Sequence, residues 1–108
     1  MSLVDLSELK SHYGEDIEII EDLVEIFEST YPDTISELEK AIKAEDYEKI
    51  ELHAHTLKGM VANFFAKSTK ENCFIIEKKG RDKEAISVDE LENIKKDLPN
   101  IIEELKKI

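Results

Sequence analysis

The chain has 108 residues, 41% hydrophobic and 38% charged, a balance that fits one soluble domain with one core and argues against disorder. A formal net charge of -11 argues against nucleic acid and anionic membrane surfaces, because both require clustered Lys and Arg. The single Cys73 can form no internal disulfide, no basic-then-apolar leader is visible, and no apolar run approaches the roughly 20 residues of a membrane span, so a cytoplasmic location is expected.

Few glycines and prolines interrupt the chain, and no strand-like alternation is apparent. The first element, "DLSELKSHYG", predicts a short helix. Asp5 is its N-cap, with Glu8 in the capping-box position, Leu6, Leu9 and Tyr13 on one face, and Gly14 as the stop. From Asp16 to Ala44 a seam of Ile17, Ile20, Val24, Phe27, Tyr31, Ile35, Leu38 and Ile42 steps by three and four. Pro32 falls inside it, at a nominal cost of about 3 kcal/mol. The seam keeps its phase across Pro32, so one long kinked helix is expected rather than two. "AED" turns the chain, and Asp46 caps a third helix, Tyr47 to about Ala66. A fourth follows over Ser68–Lys79, with Phe74, Ile75 and Ile76 as its apolar content. "GRDKEAIS" reads as a polar loop. A last helix begins near Val88, with Leu91, Ile94, Leu98, Ile101, Leu105 and Ile108 on one side and Pro99 expected to kink or split it. The expected fold is all-α, a single domain over 1–108. It is an antiparallel four-helix bundle with a short additional N-terminal helix.

The stretch "ELHAHTLKGMVANFF", Glu51 to Phe65, carries the chemistry. At 100° per residue, Ile50, Leu57, Val61 and Phe64 form the core face, with His53 and Met60 at its edge. His55 points nearly opposite, beside Glu48, Glu51, Gly59, Ala62 and Ala66, with Lys58 one turn on. The two histidines lie about 200° apart on the same wheel, so they cannot chelate one metal. No ligand spacing recruits His12 or Cys73 to a zinc site either.

His55 has small neighbours on the following turns. Gly59 costs up to about 1 kcal/mol in a helix interior relative to Ala. It gives access in return, since a side chain four residues on would lean back over the imidazole. Lys58 can bring a cation to an oxyanion beside the ring. An exposed imidazole, a cleared approach and a nearby ammonium suit a nucleophile that accepts a phosphoryl group. No Ser or Cys is paired with His55 by any visible motif, and no glycine-rich phosphate loop occurs, so a hydrolase is disfavoured.

"AHTLKG", Ala54 to Gly59, resembles the H-x-x-K-G signature of histidine-containing phosphotransfer (HPt) domains. "ANFFA", Ala62 to Ala66, is similar to the A-N-L-G-A or A-N-F-G-A that follows it in that family. The resemblance implies phosphorylation of His55 on Nε2, with Lys58 steadying the phosphoryl group and Gly59 keeping its approach clear. It implies exchange with an aspartate of a response-regulator receiver domain, which supplies Mg²⁺ and most catalytic groups. The domain itself would bind no cofactor and would be a carrier rather than an enzyme. A sensor histidine kinase is a further expected partner, and a monomer is the expected state. Docking residues around the ring are Glu48, Glu51, Leu52, Ala62, Phe65 and Ala66. Phe65 stands where the family often has glycine, and Thr69 and Asn72 stand where leucines are usual. The alternative from another class is an HPt-fold adaptor that binds a signalling partner without phosphotransfer; the intact His55–Lys58–Gly59 triplet favours the carrier.

Overall fold

The computed structural model describes residues 2–14 and 16–108. Among these, five α-helices occur and no strand: α1 Leu6–Tyr13, α2 Ile17–Lys43, α3 Tyr47–Ala62, α4 Lys67–Arg81 and α5 Val88–Lys106. Four of the five starts carry a side-chain cap. Asp5, Asp16 and Asp46 each accept the amide of the residue three further on, and Ser87 forms a full capping box with Glu90. α2 packs on α3 and α5, and α4 packs on the same two, so the long helices close a ring of neighbours; α1 rests on α2. The molecule measures 43 × 22 × 20 Å.

Neither proline divides its helix. α2 runs unbroken through Pro32 and α5 through Pro99, so of the kink or split expected at Pro99 the split does not occur. Both prolines lie on exposed faces, where water can take the carbonyl bond that a missing N–H forgoes. The core seams hold at Ile20, Val24, Phe27, Ile35 and Leu38 of α2, and at Leu91, Ile94, Leu98, Ile101 and Leu105 of α5. Ile17 at the start of the first seam and Ile108 at the end of the second are exposed, as is Leu6 of α1, because the bundle offers no partner beyond its last layer.

α3 ends at Ala62, four residues before the expected stop. The amide of Phe65 bonds the carbonyl of Ala62, that of Ala66 bonds the carbonyl of Val61, and Phe65 sits at φ 57, a Schellman closure. Its left-handed position favours glycine, which gives a physical reason for the glycine common there in the resembled motif. Phe65 occupies it half-buried, its ring 5.5 Å from that of His12. Its carbonyl also accepts the amide of Asp5, and the Tyr13 hydroxyl donates to the carbonyl of Asn63, so α1 is pinned to this corner.

α4 differs from expectation on two counts. Its buried face is Thr69, Cys73, Ile76, Glu77 and Gly80, while Phe74 and Ile75 face outward. Thr69 does not loosen the packing, since its hydroxyl donates to Asp97 of α5 at 3.1 Å. Gly80, read as loop, is helical and lies against the first turns of α3. A Cβ there would stand 2.9 Å from the backbone N of Glu51 and 3.1 Å from the carbonyl of Tyr47. Gly80→Ala is therefore expected to push the two helices apart and to cost about 1–3 kcal/mol. Gly59 has open space around it, so Gly59→Ala is expected to raise stability by up to about 1 kcal/mol. Paired thermal melts check the opposite signs.

Candidate functional site

α3 presents His55 to solvent and α4 supplies a buried carboxylate behind it. The His55 side chain is 65% exposed, that of Glu77 only 5%. Nδ1 of His55 lies 2.9 Å from Oε2 of Glu77. Lys58 Nζ lies 2.7 Å from Oε1 of the same carboxylate, a charge contact outside hydrogen-bond geometry. Arg81, one turn along α4, reaches Oε2 at 3.4 Å through Nη2 and Glu51 at 2.9 Å through Nε. Gly80 makes this possible by letting α4 approach α3 at backbone distance.

Burial pushes the Glu77 carboxyl upward, but the Lys58 ammonium beside it and the contact with His55 outweigh it and leave it below its usual value. Glu77 is thus ionised at neutral pH and can only accept, so the proton of a neutral His55 sits on Nδ1. The lone pair is left on Nε2. Glu77 orients the ring and selects its tautomer, a role that sequence reasoning missed.

Lys58 is not a free surface cation. Its side chain is 22% exposed, its ammonium is tied to Glu77, and it lies 5.2 Å from the centroid of the Phe74 ring.

A groove of 740 Å³ opens beside His55, lined by Asp46, Glu48, Lys49, Glu51, Leu52 and Glu77. Leu52 is 59% exposed on its bank. Of the expected docking residues, Glu48 and Leu52 lie on this accessible face and Ala62 is half-buried. Glu51 is there too, but it is paired with Arg81 and is not a free acidic rim. Ala66, contrary to expectation, does not lie on this face: it is fully buried at the start of α4, beyond the end of α3, where the helical period of α3 no longer applies. Phe65 is likewise off the helix and packs toward α1, away from the groove. Phe74 and Arg81, from α4, join the site in their place.

His53 is half-buried, and His12 lies with Tyr13 and Phe65. Cys73 is fully buried, and burial, with the nearby carboxylates of Asp97 and Glu77, pushes its thiol up to about 12, so it is inert as a nucleophile. Among the described residues, no group of three or more His, Cys, Asp or Glu is arranged to hold a metal, and no helix is long and apolar enough to cross a membrane.

An exposed histidine with one nitrogen engaged and the other free suits a helical domain that carries a group on that ring. A family model described as Hpt domain matches residues 22–107, and the chain belongs to this family. Hpt domains carry out histidine phosphotransfer in phosphorelays, working with response-regulator receivers and kinases and generally not acting as catalysts themselves. Comparison with curated proteins and with solved structures finds none that matches the chain.

Proposed function

We propose that the domain accepts and donates a phosphoryl group on Nε2 of His55, in exchange with an aspartate of a receiver domain. The observation that carries this reading is the Glu77–His55 contact, which engages Nδ1 and leaves Nε2 as the unengaged nitrogen of an exposed ring. In the accepting step, Nε2 attacks the aspartyl phosphate. The N–P bond forms, the P–O bond to the aspartyl oxygen breaks, and the aspartate leaves as a carboxylate. The imidazole keeps its Nδ1 proton and gains positive charge, which the Glu77 carboxylate opposite that proton offsets. Lys58 exchanges part of its contact with Glu77 for the arriving phosphoryl oxygens. Gly59 leaves the approach open.

The chain is a carrier in this reading. It binds no cofactor of its own, and the receiver brings Mg²⁺ and most of the catalytic groups. The four longer helices run antiparallel, which their short connections and ring of contacts support. The domain works as a monomer in the cytoplasm, where a lone buried thiol stays reduced. The adaptor reading is weaker, because an adaptor needs no buried carboxylate aimed at the ring of its histidine.

The receiver covers His55 by laying an apolar helix face over Leu52 and Phe74, with Glu48 at the rim. Leu52→Arg is expected to weaken receiver binding without lowering the melting temperature, since Leu52 is exposed. Wild-type affinity in that variant places the interface elsewhere. The function itself is tested by incubating the chain with phosphorylated receivers of its own organism. An acid-labile, base-stable phosphate on the chain is expected.

A further inference from the structure

A second groove lies along the α2–α5 side of the bundle, away from the α3–α4 side that carries His55. A pocket of 260 Å³ floored by Ile20, Val24 and Leu105 continues past Ile17 and Ile108 into one of 780 Å³ beside α1. Its floor is buried core, but Ile17 is 48% exposed and Ile108 is exposed as well. One bank is acidic. Glu21 and Glu25 line it, and Glu18 and Asp22 are exposed on the adjoining face of α2, at spacings where like charges repel. None of the four takes part in an ion pair among the described residues. Only Glu28, further along the same bank, is relieved, by Lys106 at 2.9 Å.

We propose that this groove docks an amphipathic helix of a partner protein, one with an apolar stripe flanked by Lys and Arg. The stripe covers Ile17, Ile20 and Ile108, and the cations meet Glu21 and Glu25. Uncompensated carboxylates beside exposed isoleucines favour that chemistry on both counts. A second copy of this chain fits poorly, because it brings another net charge of -11 to the same place. Ile17 to Glu28 spans roughly 16 Å of helix, which takes about three turns of a partner helix. This groove shares no residue with the one beside His55, so an occupant holds the domain while leaving His55 open to a receiver.

The test is fluorescence anisotropy with a labelled helical peptide of about 18 residues, leucine on one face and lysine elsewhere, at about 150 mM salt. The variants are Ile17→Ser, Glu25→Lys and, as a control of equal charge away from the groove, Asp33→Lys. All three sites are exposed, and thermal melts verify the fold. The parent is expected to bind the lysine peptide and not its glutamate counterpart. Ile17→Ser and Glu25→Lys are each expected to weaken binding about tenfold, and Asp33→Lys by less than about twofold. Phosphoryl acceptance by His55 should be unchanged in all of them. Equal weakening by Glu25→Lys and Asp33→Lys, or none by Ile17→Ser, overturns the proposal in favour of diffuse charge attraction. Failure of the parent to bind the lysine peptide overturns it too. A dimer in sedimentation that Ile17→Ser dissolves assigns the groove to a second copy instead.

Discussion

His55→Gln is expected to abolish phosphoryl acceptance while leaving helix content and melting temperature almost unchanged. Glutamine offers no nucleophilic ring nitrogen, so no N–P bond can form. The fold should barely respond, because the side chain is 65% exposed and, among the described residues, its polar contact is with Glu77 alone. Surface changes of this kind usually stay within about 0.5 kcal/mol. His53→Gln is the control, since His53 sits half-buried on another side of α3, and acceptance should survive it. Phosphate incorporation and melts on both variants separate the cases. Loss of acceptance on His53→Gln alone would show that the histidine has been misassigned.

Glu77 should give the second large effect, and the order of its variants is informative. Glu77→Ala frees the ring to rotate and to change tautomer. Acceptance should slow by about 10–100-fold, the range for losing a carboxylate that orients a metal-ligating histidine. Glu77→Gln should slow it at least as much. Lys58 lies beside Oε1 and will hold the amide oxygen, which turns the NH₂ toward Nδ1 of His55. A donor there forces Nδ1 to accept and moves the proton to Nε2, the nitrogen that must attack. Faster transfer in Glu77→Gln than in Glu77→Ala would contradict the tautomer argument. Stability should fall by about 1–3 kcal/mol in Glu77→Ala. A fully buried pair would cost about 3–5 kcal/mol, but Lys58 is 22% exposed and can turn to water. The acid limb follows from the same carboxyl. Its folded value lies below the ordinary 4.5, so its contribution is complete above that pH and is lost as pH falls through the lower folded value. Glu77→Gln should lack this part of the acid destabilisation in melts taken across that range.

The motif face was legible in the sequence because it is local. His55, Lys58 and Gly59 lie within two turns of one helix, and the 3.6-residue period puts His55 and Gly59 on the exposed side of α3, where the structure has them. Glu77 was not legible, since it is one of 26 acidic residues and meets His55 only through the packing of α4 on α3. The available clue was Gly80, three residues on, a glycine inside a charged segment that reads as loop but serves close helix approach. Cys73, Phe74, Ile75 and Ile76 form a run too continuous for its own period to be read. Only Cys73 and Ile76 face the core, in step with Thr69 and Gly80. Ala66 was misplaced because a wheel extends indefinitely, whereas α3 closes through the left-handed backbone of Phe65. The glycine expected at that position was the warning.

The account turns on one atom, and long-range ¹H–¹⁵N correlation of the imidazole rings addresses it directly. The spectrum is taken before and after incubation with a phosphorylated receiver. Before transfer, the His55 ring should carry its proton on Nδ1; afterwards the phosphoryl group should be on Nε2 of the same ring with the Nδ1 proton retained. A proton on Nε2 before transfer, or phosphate on Nδ1, on His53 or on His12, would contradict it.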